Sequence, residues 1–121
     1  MTSSKSPDDL AKEWKDACNS YDIDRIMGLY AEDVMFKSPR VRKVSRVASG
    51  MLRGKSAVRD YWRRIFERRP DLSIAVGKVF AGVDSVVLEY RVGEGLYGIE
   101  FMTVDADGLV TFAVGNDLVQ P

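Results

Sequence analysis

Apolar residues recur at helical spacing near the start of the chain, at Leu10, Trp14, Ala17 and Cys18, so the pattern predicts a helix with one inward stripe. Ser6 supplies an N-cap, Pro7 fits the first helical position, and Asp8 and Asp9 favour the positive end of the helix dipole. Asn19-Ser20-Tyr21 interrupts the pattern, and Asp22 can cap a second short helix from Ile23 to Tyr30. Val34-Met35-Phe36 then reads as a short strand closed by Ser38-Pro39. Residues 40–53 mix basic side chains with valines and fit either a loop or an irregular edge strand. A third helix, capped by Ser56 and running from Ala57 to about Arg68, gathers Val58, Tyr61, Trp62, Ile65 and Phe66 on one side before Pro70 ends it.

Beyond residue 72 the period shortens from helical to strand-like. Leu72 to Phe80, Val83 to Val92, Leu96 to Val104 and Leu109 to Val119 are rich in β-branched and aromatic residues and are separated by glycine- and aspartate-containing turns. Connections this short impose antiparallel neighbours, and helices followed by hairpins define an α+β class with the helices on one face of a curved sheet. One domain over residues 1–121 is expected. If Gly93 pairs with Leu96, Glu89 lies opposite Glu100, Arg91 opposite Gly98 and Val87 opposite Met102. Carried through the next turn, Glu100 lies opposite Ala113, with Gly115 and Asp117 on the same row. One face then collects Glu89, Arg91, Glu100 and Asp117, and the other Leu88, Tyr90, Ile99, Phe101, Phe112 and Val114. Alternation alone leaves open which face the helices cover. The polar face is either a cavity with carboxyl groups for acid/base work or an exposed surface on which Arg91 offsets two glutamates.

Composition narrows the chemistry. Of 121 residues, 45% are hydrophobic and 30% charged, which fits a globular chain and excludes disordered and collagen-like ones. No apolar run approaches the ~20 residues that span a bilayer, and the N-terminus lacks the apolar core of a secretory signal, so a cytoplasmic protein with no membrane partner is expected. Cys18 is the single cysteine and histidine is absent, which removes internal disulfides, histidine-based zinc sites and histidine triads. No metal and no cofactor are expected. The net charge is zero, yet residues 37–69 hold twelve basic and two acidic side chains. This excess marks either a solvated basic face or an anionic partner. Nucleic acid is not expected, because no aromatic residues interleave with the charges. Gly54-Lys55-Ser56 before a helix suggests a phosphate loop, but Ser49 stands where its first glycine must be.

Several segments together resemble the nuclear transport factor 2-like superfamily, closest to its SnoaL-like and ketosteroid-isomerase-like group. They are Trp14 to Asp22, Leu29 to Phe36 followed by Ser38-Pro39, Gly54 to Trp62, and Phe101 to Val110 with Asp107-Gly108-Leu109-Val110. The resemblance implies a conical α+β barrel, in which a strongly bent antiparallel sheet wraps about three helices around an apolar pocket. It also implies a homodimer through the outer sheet face, where Tyr90, Ile99, Phe101, Phe112 and Val114 would form an apolar patch. It places Glu100 in the pocket, at the position of the isomerases' oxyanion-side aspartic acid. The isomerases' general base falls on Ser38 and their oxyanion tyrosine on Trp14, so steroid isomerisation by that mechanism is not expected. The residue pairs of the dehydratase relatives need histidine, and the Asp-Arg-Asp array of the epoxide-hydrolase relatives is not evident.

What the resemblance implies about function is a small-molecule-binding domain, with acid/base isomerase, cyclase or hydrolase chemistry on a hydrophobic cyclic substrate, either neutral or anionic. Glu100 would be the acid, assisted by Asp117, in a pocket lined by Trp14, Ser38, Tyr61, Met102, Ala113 and Gly115. Arg40, Arg42, Lys43 and Arg46 would steer an anionic ligand toward it. The alternative is a non-catalytic ligand-binding or dimeric association module.

Overall fold

The computed structural model describes residues 6–119. The first five residues, which bear on the expected absence of a secretory signal, lie outside them. Helix α1 (Pro7–Asn19) starts as its sequence dictates, the Ser6 side chain accepting the Asp9 N–H at 3.1 Å. It buries Leu10, Trp14, Ala17 and Cys18. Helix α2 (Ile23–Met27) is capped by Asp22 through the Arg25 N–H and is shorter than expected, because Tyr30 already belongs to strand β1 (Tyr30–Lys37). Pairing decides this boundary. Tyr30 is held opposite Val110 in a sheet, which overrides the helical spacing of Ile26, Leu29 and Tyr30.

The undecided segment resolves into helix α3 (Pro39–Val44) and strand β2 (Met51–Arg53). Ser38-Pro39 does more than stop a strand. The Ser38 side chain accepts the Arg40 N–H at 3.2 Å and Pro39 fills the first helical position, so the pair starts a helix whose buried Val41 and Val44 are three residues apart. Helix α4 (Lys55–Arg68) is entered through Gly54 at φ 84°, a conformation glycine adopts at little cost, and not through a Ser56 cap. Strands β3 (Ile74–Gly82), β4 (Ser85–Val92), β5 (Leu96–Val104) and β6 (Val110–Asp117) complete the α+β chain.

The six strands form one sheet in the order β2-β1-β6-β5-β4-β3. One expectation changes here: the sheet is mixed and not all antiparallel, since β1 runs parallel to β6. It is not closed by hydrogen bonds, β2 and β3 being its edges, and four helices among the described residues accompany it where about three were expected. No helix among the described residues is long and apolar enough to cross a membrane.

The hairpin register also differs, by one residue. Val92 pairs with Leu96, so the turn holds three residues, Gly93-Glu94-Gly95, with Gly93 at φ 57°. A slip of one residue reverses the faces of the strand. Leu88 therefore lies opposite Glu100 and Tyr90 opposite Gly98, while Glu89 and Arg91 move to the outer face. Glu100 faces Gly115, and Met102 faces Ala113. Tyr90, expected in the outer apolar patch, is buried at 2% exposure on the inner face; Ile99 remains exposed outside, and Phe101, Phe112 and Val114 are half-buried. The core lies between the inner sheet face and helices α1 and α4, where Trp14, Val58, Tyr61, Leu88 and Met102 are buried.

Candidate functional site

Between α1, α4 and the inner face of β4 and β5 lies a cavity of about 70 Å3. That is room for several waters. Its walls are mainly apolar and aromatic, from Trp14, Phe36, Tyr61, Trp62 and Leu72 among others. Glu100 projects into this lining from the middle of β5 and is only 5% exposed.

A glycine and a serine make room for that carboxyl. A Cβ atom on Gly115, directly across from Glu100, would lie 3.2 Å from Glu100 Oε1 and 3.3 Å from Ser38 Oγ. The bare backbone of β6 thus lets the Glu100 carboxyl and the Ser38 hydroxyl approach the same point from two sides. Gly98 serves Tyr90 in the same way. A Cβ there would sit 2.8 Å from Tyr90 Oη and 2.7 Å from the Asn116 carbonyl oxygen, so the ring occupies the place a side chain would take.

The cation of the site comes from the segment that sequence alone left undecided. Arg40, one residue into α3 after Pro39, donates from Nη1 to Asp117 Oδ1 at 2.9 Å and from Nη2 to Tyr90 Oη at 2.8 Å. The Tyr90 hydroxyl in turn donates to Asp117 Oδ1 at 3.4 Å. The guanidinium lies 5.9 Å from the centre of the Tyr90 ring, whose other neighbour is the Trp14 indole at 5.6 Å. Arg40, Tyr90 and Asp117 therefore form one closed network on the cavity wall.

Burial governs the titration of these groups. Loss of hydration pushes the Glu100 carboxyl up to about 8 from an ordinary value of 4.5; the Arg40 charge opposes this and the Asp117 charge adds to it. Near pH 7 Glu100 is thus mainly a neutral acid, able to donate a hydrogen bond or a proton. Burial likewise raises the Tyr90 hydroxyl to about 12 and raises Tyr61, in both cases against the pull of Arg40. Burial disfavours the Arg40 cation, but Tyr61, Tyr90 and Asp117 around it outweigh that effect, and it stays charged.

The structure brings together some of the expected residues and separates others. Glu100, Trp14, Ser38 and Tyr61 line the cavity, and Asp117 joins it through Arg40. Gly115 stands behind the Glu100 carboxyl, whereas Met102 and Ala113 are fully buried in the core and absent from the cavity lining. Arg91 is not the cation near Glu100, because the register turns it outward over the Tyr97 ring at 5.7 Å. Glu89 is outside as well, accepting the Lys78 N–H at 3.1 Å. Of the four expected steering cations only Arg40 lines the cavity; Arg42, Lys43 and Arg46 are exposed away from it. Tyr90 and Arg69 are lining residues that sequence reasoning missed. The signal for Tyr90 was its place opposite Gly98, which only the correct turn length reveals.

Comparison with known proteins agrees with this fold. The profile of the SnoaL-like domain matches residues 11–115, and the chain belongs to that family. A SnoaL-like protein of unknown function from Burkholderia thailandensis E264 is 34% identical, with a TM-score of 0.87 over 93% of this chain and 94% of that one. A candidate ketosteroid isomerase from Kribbella flavida DSM 17836 is 25% identical, with a TM-score of 0.70 over 93% and 77% of the two chains. IdmH, a candidate polyketide cyclase from Streptomyces antibioticus, shares the fold at 17% identity, with a TM-score of 0.79 over 93% and 92%. No curated protein matches the sequence.

Proposed function

We propose that the cavity is an acid/base active site acting on a hydrophobic cyclic substrate, in an isomerisation or ring-closing reaction. The observation that carries this reading is a single one: the Glu100 carboxyl is buried in an apolar cavity, a setting that raises it to about 8 and favours the protonated acid. The names of the Kribbella and Streptomyces neighbours, a candidate isomerase and a candidate cyclase, are in keeping with it.

The chemistry follows from the single acid. Protonated Glu100 gives its proton to a substrate oxygen, and the carboxylate left behind is stabilised by the Arg40 charge. The same carboxylate then takes the proton released from a substrate carbon, which restores the acid. Ser38, standing where the isomerases of this superfamily have their base, cannot serve as a second carboxylate. One group must therefore both give and take, or pass the second proton to water.

Base-promoted ring opening of nitrobenzisoxazole tests this without the natural substrate, because a carboxylate in an apolar site removes its ring C–H proton as the N–O bond breaks to a coloured phenolate. The rate is expected to rise with pH through about 8, as Glu100 ionises. Glu100→Gln should lower it by on the order of 100-fold while binding of the compound persists. Equal rates for the two proteins would leave a ligand-binding domain without acid/base catalysis.

A further inference from the structure

We infer that the natural ligand of the cavity is an apolar ring compound bearing an acidic oxygen group, a carboxylate or an enolate, which the Arg69 guanidinium receives at the cavity mouth. The inference rests on the cavity being the substrate site.

Three observations carry it. Arg69 is the residue at which α4 ends, exposed to solvent on one side and part of the cavity lining on the other. No ion pair among the described residues engages its side chain. The remaining charges of the wall are already matched. Arg40 is held by Asp117 and Tyr90, and Glu100 is buried and mainly neutral near pH 7, so an anion entering the cavity finds one unclaimed cation in its lining.

Position separates the two polar elements of the wall. Glu100 lies deep on the sheet, and Arg69 lies at the exposed end of α4, with apolar Ile65, Leu72, Val92 and Leu96 also in the lining. A ligand that satisfies all of these has an apolar body, an oxygen for Glu100 and a separate anionic oxygen for Arg69. The basic segment of the sequence thus contributes through Arg69, at its last position, and not through the exposed Arg42, Lys43 and Arg46.

Benzoate and the isosteric benzamide test the inference, with both tryptophans, Trp14 and Trp62, in the cavity wall as fluorescent reporters. At low ionic strength and neutral pH the carboxylate should bind about fivefold more tightly than the carboxamide, the scale of a single solvent-exposed charge pair. Arg69→Gln should bring the two affinities together, Arg69→Lys should keep most of the difference, and Lys43→Gln should keep all of it. Equal binding of the two compounds by the unaltered protein overturns the inference and leaves the cavity reading intact. A preference that survives Arg69→Gln also overturns it, by assigning the anion to Arg40. Failure of both compounds to bind overturns the cavity reading itself and the inference with it.

Discussion

Between pH 5 and 9 the protein should lose stability that the Glu100→Gln variant keeps. The direction follows from the raised carboxyl, at about 8 in the folded chain against 4.5 for an ordinary glutamate. Below the ordinary value Glu100 is neutral in both folded and unfolded chains, and its contribution is fully present. As pH rises through that value the unfolded chain ionises first, and the contribution is lost progressively until the folded group also ionises near 8. A shift of this size corresponds to on the order of 5 kcal/mol, a large part of the 5–15 kcal/mol that holds a typical domain together. Glutamine cannot ionise. Urea unfolding at a series of pH values should show the two proteins close together at pH 5 and the variant well ahead at pH 9. Parallel curves over the whole range would mean that Glu100 is not desolvated in solution.

Arg40→Leu should cost about 2 kcal/mol of stability and shift Glu100 upward. Removing one partner of a buried pair costs roughly 3–5 kcal/mol, because the other charge stays behind. The side chains of Arg40 and Asp117 keep 28% and 22% of their exposure, so water screens part of that cost. Replacing both partners by leucine should recover much of the loss, which distinguishes an unpaired Asp117 from a general packing defect. The titration of Glu100 gives an independent reading with two signs. Its midpoint should rise in Arg40→Leu, where the opposing cation is gone, and fall in Asp117→Asn, where the neighbouring anion is gone. Thermal unfolding and the pH profile of nitrobenzisoxazole turnover measure the two effects. No change of midpoint in either variant would mean that the network does not act on Glu100.

Elements that carry their own start signals were legible in the sequence, and those set by pairing were not. The Ser6 cap and the Pro7–Asp9 turn fix the start of α1 without help from the rest of the chain. Tyr30 has no such local determinant, since its place in β1 depends on Val110, eighty residues away. The hairpin between β4 and β5 shows how small a difference matters. Gly93-Glu94-Gly95 can close a two- or a three-residue turn, and the choice sends either Arg91 or Tyr90 to the side of Glu100. Ser38-Pro39 reads equally well as a strand end and as a helix start; only the helix brings Arg40 to Asp117. Glu100, Asp117 and the aromatic wall could therefore be named from the sequence, whereas their cation could not. Arg40 is 77 residues from its partner, and no local pattern records that distance.

The most direct test of the account is the titration of the Glu100 carboxyl itself, followed by carbon-13 NMR on protein labelled at glutamate side chains and assigned by the missing signal of Glu100→Gln. The account predicts a midpoint near 8, with the protonated signal persisting at neutral pH. A midpoint at the ordinary 4.5 would make Glu100 a fixed carboxylate beside Arg40, and the acid on which the proposed chemistry depends would not exist.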